Sequence, residues 1–426
     1  MGITNAIIDN INMSHANYIE TFLRDQGIKR SSDEEGMDTK HWVDLLLQRG
    51  RLKTDDFELF LQKELFYGKR KQIRVYRLDD CRKYRYLSDW ENGLDKYSGG
   101  HTEDFSNILG IQPIEGQPIK IVFVSMQQNE QAELENIKIL FAHFIQVNTS
   151  INSFDDSCSY IPVEIDFRSR RMIMKAWQRQ NIHAEEYRTD ALFENILNIL
   201  NNSFQVEVEE FGIEHKKALY AMSRHLINDA YLKIPAFGEV ENLRESISDF
   251  SDSMIQALPL KNKTKNKDGV EILQPGVMNF NAELRNVVEG LAINDYFFQK
   301  DFSEIWSMGL EAVVARIRFN DRERVLTSLK GENTVTPIFV TKTFMTLRER
   351  MNESEMVDAI WIATDRDNGN LNLRYDSSNS GYLEILIRYG IRFCENDMNS
   401  ALRIYDKYER YSYSEIKGTA PIAVSQ

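Results

Sequence analysis

Apolar residues recur every three or four positions through the first hundred residues, which is the spacing of amphipathic helices. Ile7 and Ile11 belong to the first predicted helix, and Thr54 is a suitable N-cap for a later one. A strand is predicted over residues 73–78, directly after these helices. Residues 1–100 are therefore predicted to form a helical, winged-helix-like module that carries a basic segment.

The next hundred residues mix helical spacing with continuous apolar runs. The run at residues 119–124 predicts a mostly buried strand, and the apolar spacing within residues 130–145 predicts a helix. Residues 160–167 and 171–177 are predicted to form two strands joined by a short turn. We therefore predict an α/β or α+β domain over residues 101–205.

Helical spacing returns over residues 206–300, which we predict to be a helical region. Four lysines within it, Lys261, Lys263, Lys265 and Lys267, alternate with uncharged polar residues and are followed by Asp-Gly. Because Asp-Gly is a turn signal and the run has no apolar face, we expect an exposed loop here.

Alternation of apolar and polar residues is clearest over residues 301–412. Residues 313–319 predict a half-buried strand, and residues 334–344 predict another. Asn-Gly at positions 368–369 lies between two apolar runs and predicts an antiparallel hairpin, because a type I′ turn needs two residues with positive φ. We predict an α+β domain here, followed by a tail over residues 413–426. The fold class predicted for the whole chain is α+β, multidomain and helix-rich, with a C-terminal, mainly antiparallel sheet.

Composition restricts the possible partners. The formal net charge of −13 opposes long-range attraction to nucleic acid or anionic membrane, so such contact requires a local basic patch. Cys81, Cys158 and Cys394 form no CxxC pair, which argues against disulfides and structural zinc and favours a reducing compartment. The sequence has no secretory-signal pattern and no run of about 18 apolar residues. We therefore expect a cytoplasmic protein without membrane contact.

Familiar catalytic signatures are missing from the sequence. It contains no GxxxxGK[ST] phosphate loop, no GxGxxG after a strand, no HExxH and no GxSxG. Its seven histidines include no His-x₃-His pair that would direct two imidazoles at one metal ion. These absences exclude the common nucleotide-binding, zinc-protease and α/β-hydrolase families, and no cofactor is predicted.

Two groups of carboxylates nevertheless have a sequence spacing like that of a metal-dependent nuclease. The first group is Asp156, Glu164 and Asp166, and the second is Asp376 and Glu384. In such enzymes the carboxylates hold Mg²⁺, and a lysine on the same strand steadies the phosphate. Asp166 and Leu386 stand where that lysine is required, although Lys175 could supply an ammonium group from a neighbouring strand. A nuclease or phosphodiesterase that uses Mg²⁺ is therefore an alternative, and solvated charges on a strand are the purely structural interpretation.

The strongest functional signal is electrostatic. Residues 69–86 carry eight basic and two acidic side chains, interleaved with tyrosines. Cations neutralise phosphates and aromatic rings stack on bases, so this pattern is typical of nucleic-acid contact. The residues predicted to bind DNA or RNA are Lys69, Arg70, Lys71, Arg74, Arg82, Lys83, Arg85 and Tyr84.

A second basic cluster contains Arg168, Arg170, Arg171, Lys175 and Arg179 together with Trp177. Both clusters could instead pair with acidic surfaces of this chain or of a protein partner, since the chain has 65 acidic residues. We therefore predict a non-catalytic, intracellular nucleic-acid-binding or assembly protein, of the kind found among bacterial accessory and phage-defence components. A protein-interaction subunit without nucleic-acid contact is a further alternative.

Overall fold

The computed structural model describes residues 2–13, 16–68, 71–79, 84–98, 104–150, 153–179, 181–274, 278–297, 302–320, 325–332, 336–365, 370–387 and 392–415. The chain divides into two compact units. The first comprises residues 1–212 and 379–399, and the second comprises residues 213–378 and 400–426. None of the helices in the described part of the chain is long and apolar enough to span a membrane.

The first unit contains a sheet with helices on both faces. Its helices are α1 (Asn5–Ile11), α2 (Tyr18–Asp25), α3 (Thr39–Gln48), α4 (Thr54–Phe66), α5 (Leu87–Ser98) and α6 (Thr189–Phe204). Its strands are β1 (Lys71–Leu78), β2 (Asp104–Ser106), β3 (Lys120–Gln128), β4 (Leu134–Ser150), β5 (Ser153–Asp166), β6 (Arg171–Trp177), β7 (Val208–Glu209) and β14 (Leu383–Ile387).

The strands of the first unit follow the order β14-β1-β6-β5-β4-β3-β2, with antiparallel neighbours, and β7 pairs with the end of β1. Ile161, Val163 and Ile165 of β5 face a core shared with α5 and α6. Alternate residues of a strand point to opposite faces, so Tyr160 and Glu164 face the side on which α1 and α4 pack against β5. Both faces are covered, and β1 between them is buried at almost every position.

The second unit pairs a four-stranded sheet with a group of helices. Its helices are α7 (Glu214–Tyr231), α8 (Pro235–Asn242), α9 (Arg244–Ala257), α10 (Phe280–Tyr296), α11 (Lys342–Ser354) and the residues of α12 (Glu395–Glu415) from position 400 onward. Its strands are β8 (Lys263–Lys265), β9 (Glu271–Leu273), β10 (Val313–Asn320), β11 (Leu326–Lys330), β12 (Ala359–Thr364) and β13 (Leu371–Asp376).

The sheet of the second unit has the antiparallel order β11-β10-β12-β13. Ile317, Ile360 and Tyr375 are fully buried on one face, against which α7 packs. The Tyr375 hydroxyl donates a hydrogen bond to the Ala401 carbonyl oxygen and so joins α12 to the same face. On the other face Arg316, Arg318, Trp361 and Arg374 are only partly buried, whereas Ala359 and Ala363 are fully buried. One face of this sheet is therefore buried, and the other, which we call the open face, is partly exposed around these four side chains.

The α+β fold class is confirmed, as are the strand pair at residues 160–167 and 171–177 and the antiparallel pairing of β12 with β13. The turn predicted at Asn-Gly 368–369 and most of the predicted tail lie outside the described residues. The expected lysine loop is the hairpin formed by β8 and β9.

Two predictions of secondary structure are wrong. Residues 130–145 do not form a helix, because β4 pairs along its length with β3 and β5 and its apolar residues fit a strand as well as a helix. The described residues 336–344 of the other predicted strand do not form a strand. Thr341 instead caps α11 by accepting a hydrogen bond from the Phe344 amide.

Candidate functional site

Three of the described residues of the predicted nucleic-acid-binding segment are buried in the first unit. Lys71, Arg74 and Tyr84 are 4%, 5% and 2% exposed. Arg85 is exposed, and its guanidinium pairs with the Glu133 carboxylate at 2.8 Å. The other predicted residues, Lys69, Arg70, Arg82 and Lys83, lie outside the described residues. Among the described members, Arg85 is therefore the one that presents its charge at the surface.

Arg74 illustrates why this segment is interior. Its guanidinium forms an ion pair with Asp190 at the start of α6. The guanidinium carbon also lies 4.9 Å from the ring centre of Phe193 and 4.2 Å from that of Tyr382. Because β1 is an interior strand with helices on both faces, this arginine joins the sheet to α6 and is not positioned to meet a phosphate.

The second basic cluster is divided between surface and interior. Arg168 is exposed in the turn between β5 and β6, whereas Lys175 is fully buried. Arg170 donates to a backbone carbonyl of β1 at 2.9 Å, and Arg179 stacks on Trp177 with its guanidinium carbon 3.9 Å from the ring centre. These cations do not form one continuous basic surface.

The first group of predicted catalytic carboxylates is spread along β5. Glu164 lies eight positions after Asp156, which places them about 26 Å apart along an extended strand. Asp166 accepts hydrogen bonds from the Arg168 and Ser169 amides and so closes the turn to β6. Asp156 and Glu164 therefore cannot ligate one metal ion together.

Glu164 instead belongs to a buried polar network. Its carboxylate pairs with Lys175, whose ammonium lies 4.1 Å from the ring centre of Tyr67. The Tyr67 hydroxyl donates to Glu395 at 2.9 Å and lies 3.4 Å from Glu164, while Lys138 also donates to Glu395 at 2.9 Å. Two cations and two carboxylates thus meet beside one phenol.

The surroundings shift three pKa values in this network. Burial lowers the pKa of the Lys175 ammonium below its ordinary value, although the Glu164 carboxylate opposes this shift. Burial, reinforced by the carboxylates of Glu164 and Glu395, raises the pKa of the Tyr67 phenol. Hydrogen bonds from Lys138 and Tyr67 lower the pKa of Glu395. The Tyr67 phenol therefore stays neutral within this network.

This network attaches the segment that begins at Arg392 to the sheet. Gly68 and Phe393 exchange two backbone hydrogen bonds, at 3.0 and 3.1 Å. Arg392 pairs with Glu64 of α4. The Glu395 contacts add a third attachment, so the arrangement performs a structural task that requires no ligand.

Asp376 and Glu384, the second predicted group, belong to different units. Asp376 accepts from Arg318 at 3.0 Å and from Ser378 at 2.6 Å, and Glu384 accepts from Gln72 at 2.8 Å. In the part of the chain that the structure describes, no three His, Cys, Asp or Glu side chains form a group that could hold a metal ion.

The open face of the second unit carries a group that the sequence interpretation did not assemble. Arg316 of β10 lies opposite Trp361 of β12, and Trp361 lies opposite Arg374 of β13. The guanidinium carbons are 4.3 and 5.9 Å from the centre of the indole. Directly opposed residues on antiparallel strands share a face, so the indole lies between two guanidinium groups.

Further cations lie on the same face. Arg318 is two residues beyond Arg316 and pairs with Asp376, and Lys330 of β11 lies opposite Arg316. We call Arg316, Arg318, Lys330, Trp361 and Arg374 the Arg–Trp face. The side chains of Arg318 and Arg374 are 28% and 27% exposed. Asp376 lies 3.0 Å from Arg318 and 3.7 Å from Arg374, so it compensates part of this positive charge.

The signal for this group was divided among four strands. The alternation of Arg316 and Arg318 with apolar residues indicates a solvated strand face, but Trp361 and Arg374 belong to strands far along the sequence. Strand order and register, which single-sequence patterns do not give, bring them together.

A second exposed basic element is the lysine hairpin, formed by β8 and β9. Lys261, Lys265 and Lys267 are exposed, and Lys263 donates to Glu271 at 3.0 Å and to the Gln256 carbonyl oxygen. Lys263 and Lys265 occupy alternate positions of β8 and so share a face of this ribbon, whereas Lys261 and Lys267 lie just outside the strand. Aromatic residues do not accompany them.

Comparison with protein-family models, with curated proteins and with solved structures found no match to this chain.

Proposed function

We propose that this chain is a non-catalytic nucleic-acid-binding protein and that the Arg–Trp face binds unpaired nucleotides of DNA or RNA. The observation that supports this proposal is the row of Arg316, Trp361 and Arg374 across three adjacent strands on the open face of the sheet. Guanidinium groups pair with phosphate oxygens through two parallel hydrogen bonds, and both indole and guanidinium planes stack on bases.

Unpaired nucleotides fit this face better than a duplex does. A base must leave its stack before it can lie on a side chain of a flat sheet, and single strands offer their bases without that cost. The side chains are fixed by strand register, which reduces the ordering that binding requires. The net charge of −13 opposes long-range attraction, so the affinity depends on these local cations.

The test is fluorescence anisotropy with labelled 20-nucleotide single-stranded DNA and RNA, and with the matching duplex, over a salt series. We expect Trp361→Ala to weaken single-strand binding about tenfold or more, since stacking contributes about 1–3 kcal/mol per base. Arg316→Gln with Arg374→Gln should flatten the plot of log affinity against log salt by about 0.7 for each phosphate that the protein no longer neutralises.

Two control variants locate the interface. Arg168→Gln removes an exposed arginine of the first unit and should leave binding unchanged. A variant with Lys261, Lys265 and Lys267 replaced by Gln tests the lysine hairpin. Loss of all binding in that variant, with the Trp361→Ala protein unaffected, would move the interface to the hairpin. Absence of binding at low salt would overturn the proposal and favour a protein partner.

A divalent-metal cleavage assay addresses the nuclease alternative in the same samples. Because Glu164 is paired with Lys175 and lies far from Asp156 along β5, we expect no cleavage with Mg²⁺ or Mn²⁺. Cleavage that persists after repurification and is abolished by Glu164→Gln would restore the alternative.

A further inference from the structure

We propose that a cleft in the first unit binds a small organic cation with an apolar body. The cleft lies beside the start of α1 and the outer half of β5, and the loop at residues 108–115 forms its third wall. Its volume is about 590 Å³. Small-molecule sites typically occupy roughly 300–1,000 Å³, so the cleft has the size of a ligand site.

Each wall of the cleft is fixed by a specific contact. The Ile3 amide donates to Asp44 of α3 at 2.8 Å, and the Asn10 side chain donates to the Cys158 carbonyl oxygen at 2.9 Å. Glu58 of α4 is buried and accepts from the Ile108 and Leu109 amides at 3.2 and 3.0 Å. The cavity is therefore preformed and does not need the ligand to assemble it.

The lining combines apolar side chains with neutral polar groups. The apolar lining residues include Ile7, Ile108, Leu109, Ile111, Pro113 and Phe144. Burial raises the pKa of the Cys158 thiol to about 12 and raises the pKa of the Tyr160 phenol, so both stay neutral. Ser157 also lines the cleft and is 7% exposed.

Negative charge predominates at the entrance. Glu115 and Asp156 are exposed where they line the cleft, and Lys40 is the single cation of the lining. Besides burial, the carboxylates of Glu186, Glu115 and Asp156 all raise the pKa of the Tyr187 phenol, which shows that they converge on one region. A protonated amine is attracted to this entrance, and an anion of the same shape is repelled.

The test uses isothermal titration of the full-length protein with three probes of similar shape: phenethylamine, 2-phenylethanol and 3-phenylpropionate. We expect phenethylamine to bind about tenfold more tightly than the neutral alcohol, because a hydrogen bond to a charged group exceeds a neutral one. The carboxylate probe should bind most weakly.

Matched variants assign the binding to this cleft. Asp156→Asn with Glu115→Gln should remove the preference for the amine over the alcohol, whereas Asp155→Asn, which alters an exposed neighbour outside the lining, should preserve it. The proposal is overturned by no amine binding up to about 10 mM, by tighter binding of the carboxylate probe, or by equal effects of the two sets of substitutions. No nucleic acid is present, so the result is independent of the Arg–Trp face.

Discussion

Arginines lie against aromatic rings on strands of both units, at Arg74 of β1 and at Arg316 of β10. Arg74 is 5% exposed, contacts two rings and pairs with Asp190. Arg316 is partly exposed, lies over Trp361 and donates to Ser328 at 3.1 Å. The same chemical pair thus occurs once as an internal connection and once on an open surface.

The layers around each strand account for the difference. In the first unit α1 and α4 cover one face and α5 and α6 cover the other, so every direction open to a β1 side chain leads into protein. The sheet of the second unit alternates buried with partly buried positions along β10 and β13. An arginine next to an aromatic ring is therefore available to a ligand only where its strand has an uncovered face.

Charge reversal at Arg74 and at Arg316 should give the largest difference in stability between two variants. Arg74→Glu places a carboxylate at a buried position, beside Asp190 and opposite Glu384 of β14. We therefore expect a loss of about 3–5 kcal/mol in the free energy of unfolding. Arg316→Glu should change this free energy by less than about 1 kcal/mol, because the side chain is at the surface.

Urea denaturation followed by circular dichroism measures both variants, and equal m-values will show that the same surface is exposed on unfolding. Equal destabilisation by Arg74→Glu and Arg316→Glu would contradict the contrast between an interior and an open strand. A reduction in nucleic-acid binding by Arg74→Glu is informative only at urea concentrations where that variant is folded.

The sequence allowed part of this contrast to be predicted. Alternation along residues 313–319 correctly indicates a strand with one solvated face. In β1 the charged residues Arg74 and Arg77 also suggest solvent, but Arg74 packs against Phe193 of α6 and Tyr382, and Arg77 lies over the ring of Phe211. Single-sequence patterns record polarity, whereas exposure depends on which elements pack on a strand, and that is decided by contacts distant in sequence.

The buried pair of Lys175 and Glu164 should respond strongly to the loss of one partner. Lys175→Met leaves the Glu164 carboxylate without its cation, and we expect a loss of about 3 kcal/mol in the free energy of unfolding. Adding Glu164→Gln should recover part of this loss, since the amide is less costly to bury than an unpaired charge. The measurement is a double-mutant cycle in urea.

A coupling energy near zero in that cycle would show that the two side chains act independently. The comparison pair is Lys407 and Glu311 of the second unit, whose atoms are 2.8 Å apart and whose side chains are 43% and 35% exposed. Exposed pairs contribute about 0.2–1 kcal/mol, so Lys407→Met should cost much less than Lys175→Met.

On the Arg–Trp face, Arg374→Lys keeps the charge but removes the planar guanidinium. We expect single-strand affinity to fall about three- to tenfold while the dependence on salt stays as in the original protein, because lysine still neutralises a phosphate. Arg374→Gln should lower the affinity and also weaken its dependence on salt. Anisotropy titrations at four salt concentrations distinguish these outcomes, and an unchanged affinity in both variants would remove Arg374 from the interface.

The candidate site was less predictable than the fold because its residues come from separate strands. Arg316 was recognised as a surface arginine, but its relation to Trp361 depends on the pairing of β10 with β12, including the register shift between Val314 and Arg316. In the segment with the densest basic sequence, by contrast, the described Lys71 and Arg74 are interior and Arg85 is exposed. Local charge density therefore did not indicate which of these side chains reach the surface.

The smallest expected effect concerns Glu395, which has a lowered pKa because Lys138 and Tyr67 donate to its carboxylate. A carboxyl group with a lower pKa in the folded state contributes stability above its unfolded pKa, near 4.5, and that contribution disappears as the pH falls through the folded pKa. Glu395→Gln should therefore destabilise the protein at pH 7, and the difference from the original protein should shrink below pH 4.5. Since this side chain is 53% exposed, solvent screening keeps the effect below about 1 kcal/mol. Urea denaturation at pH 7 and at pH 4 measures it, and a difference that grows on acidification would contradict the assigned role of the carboxylate.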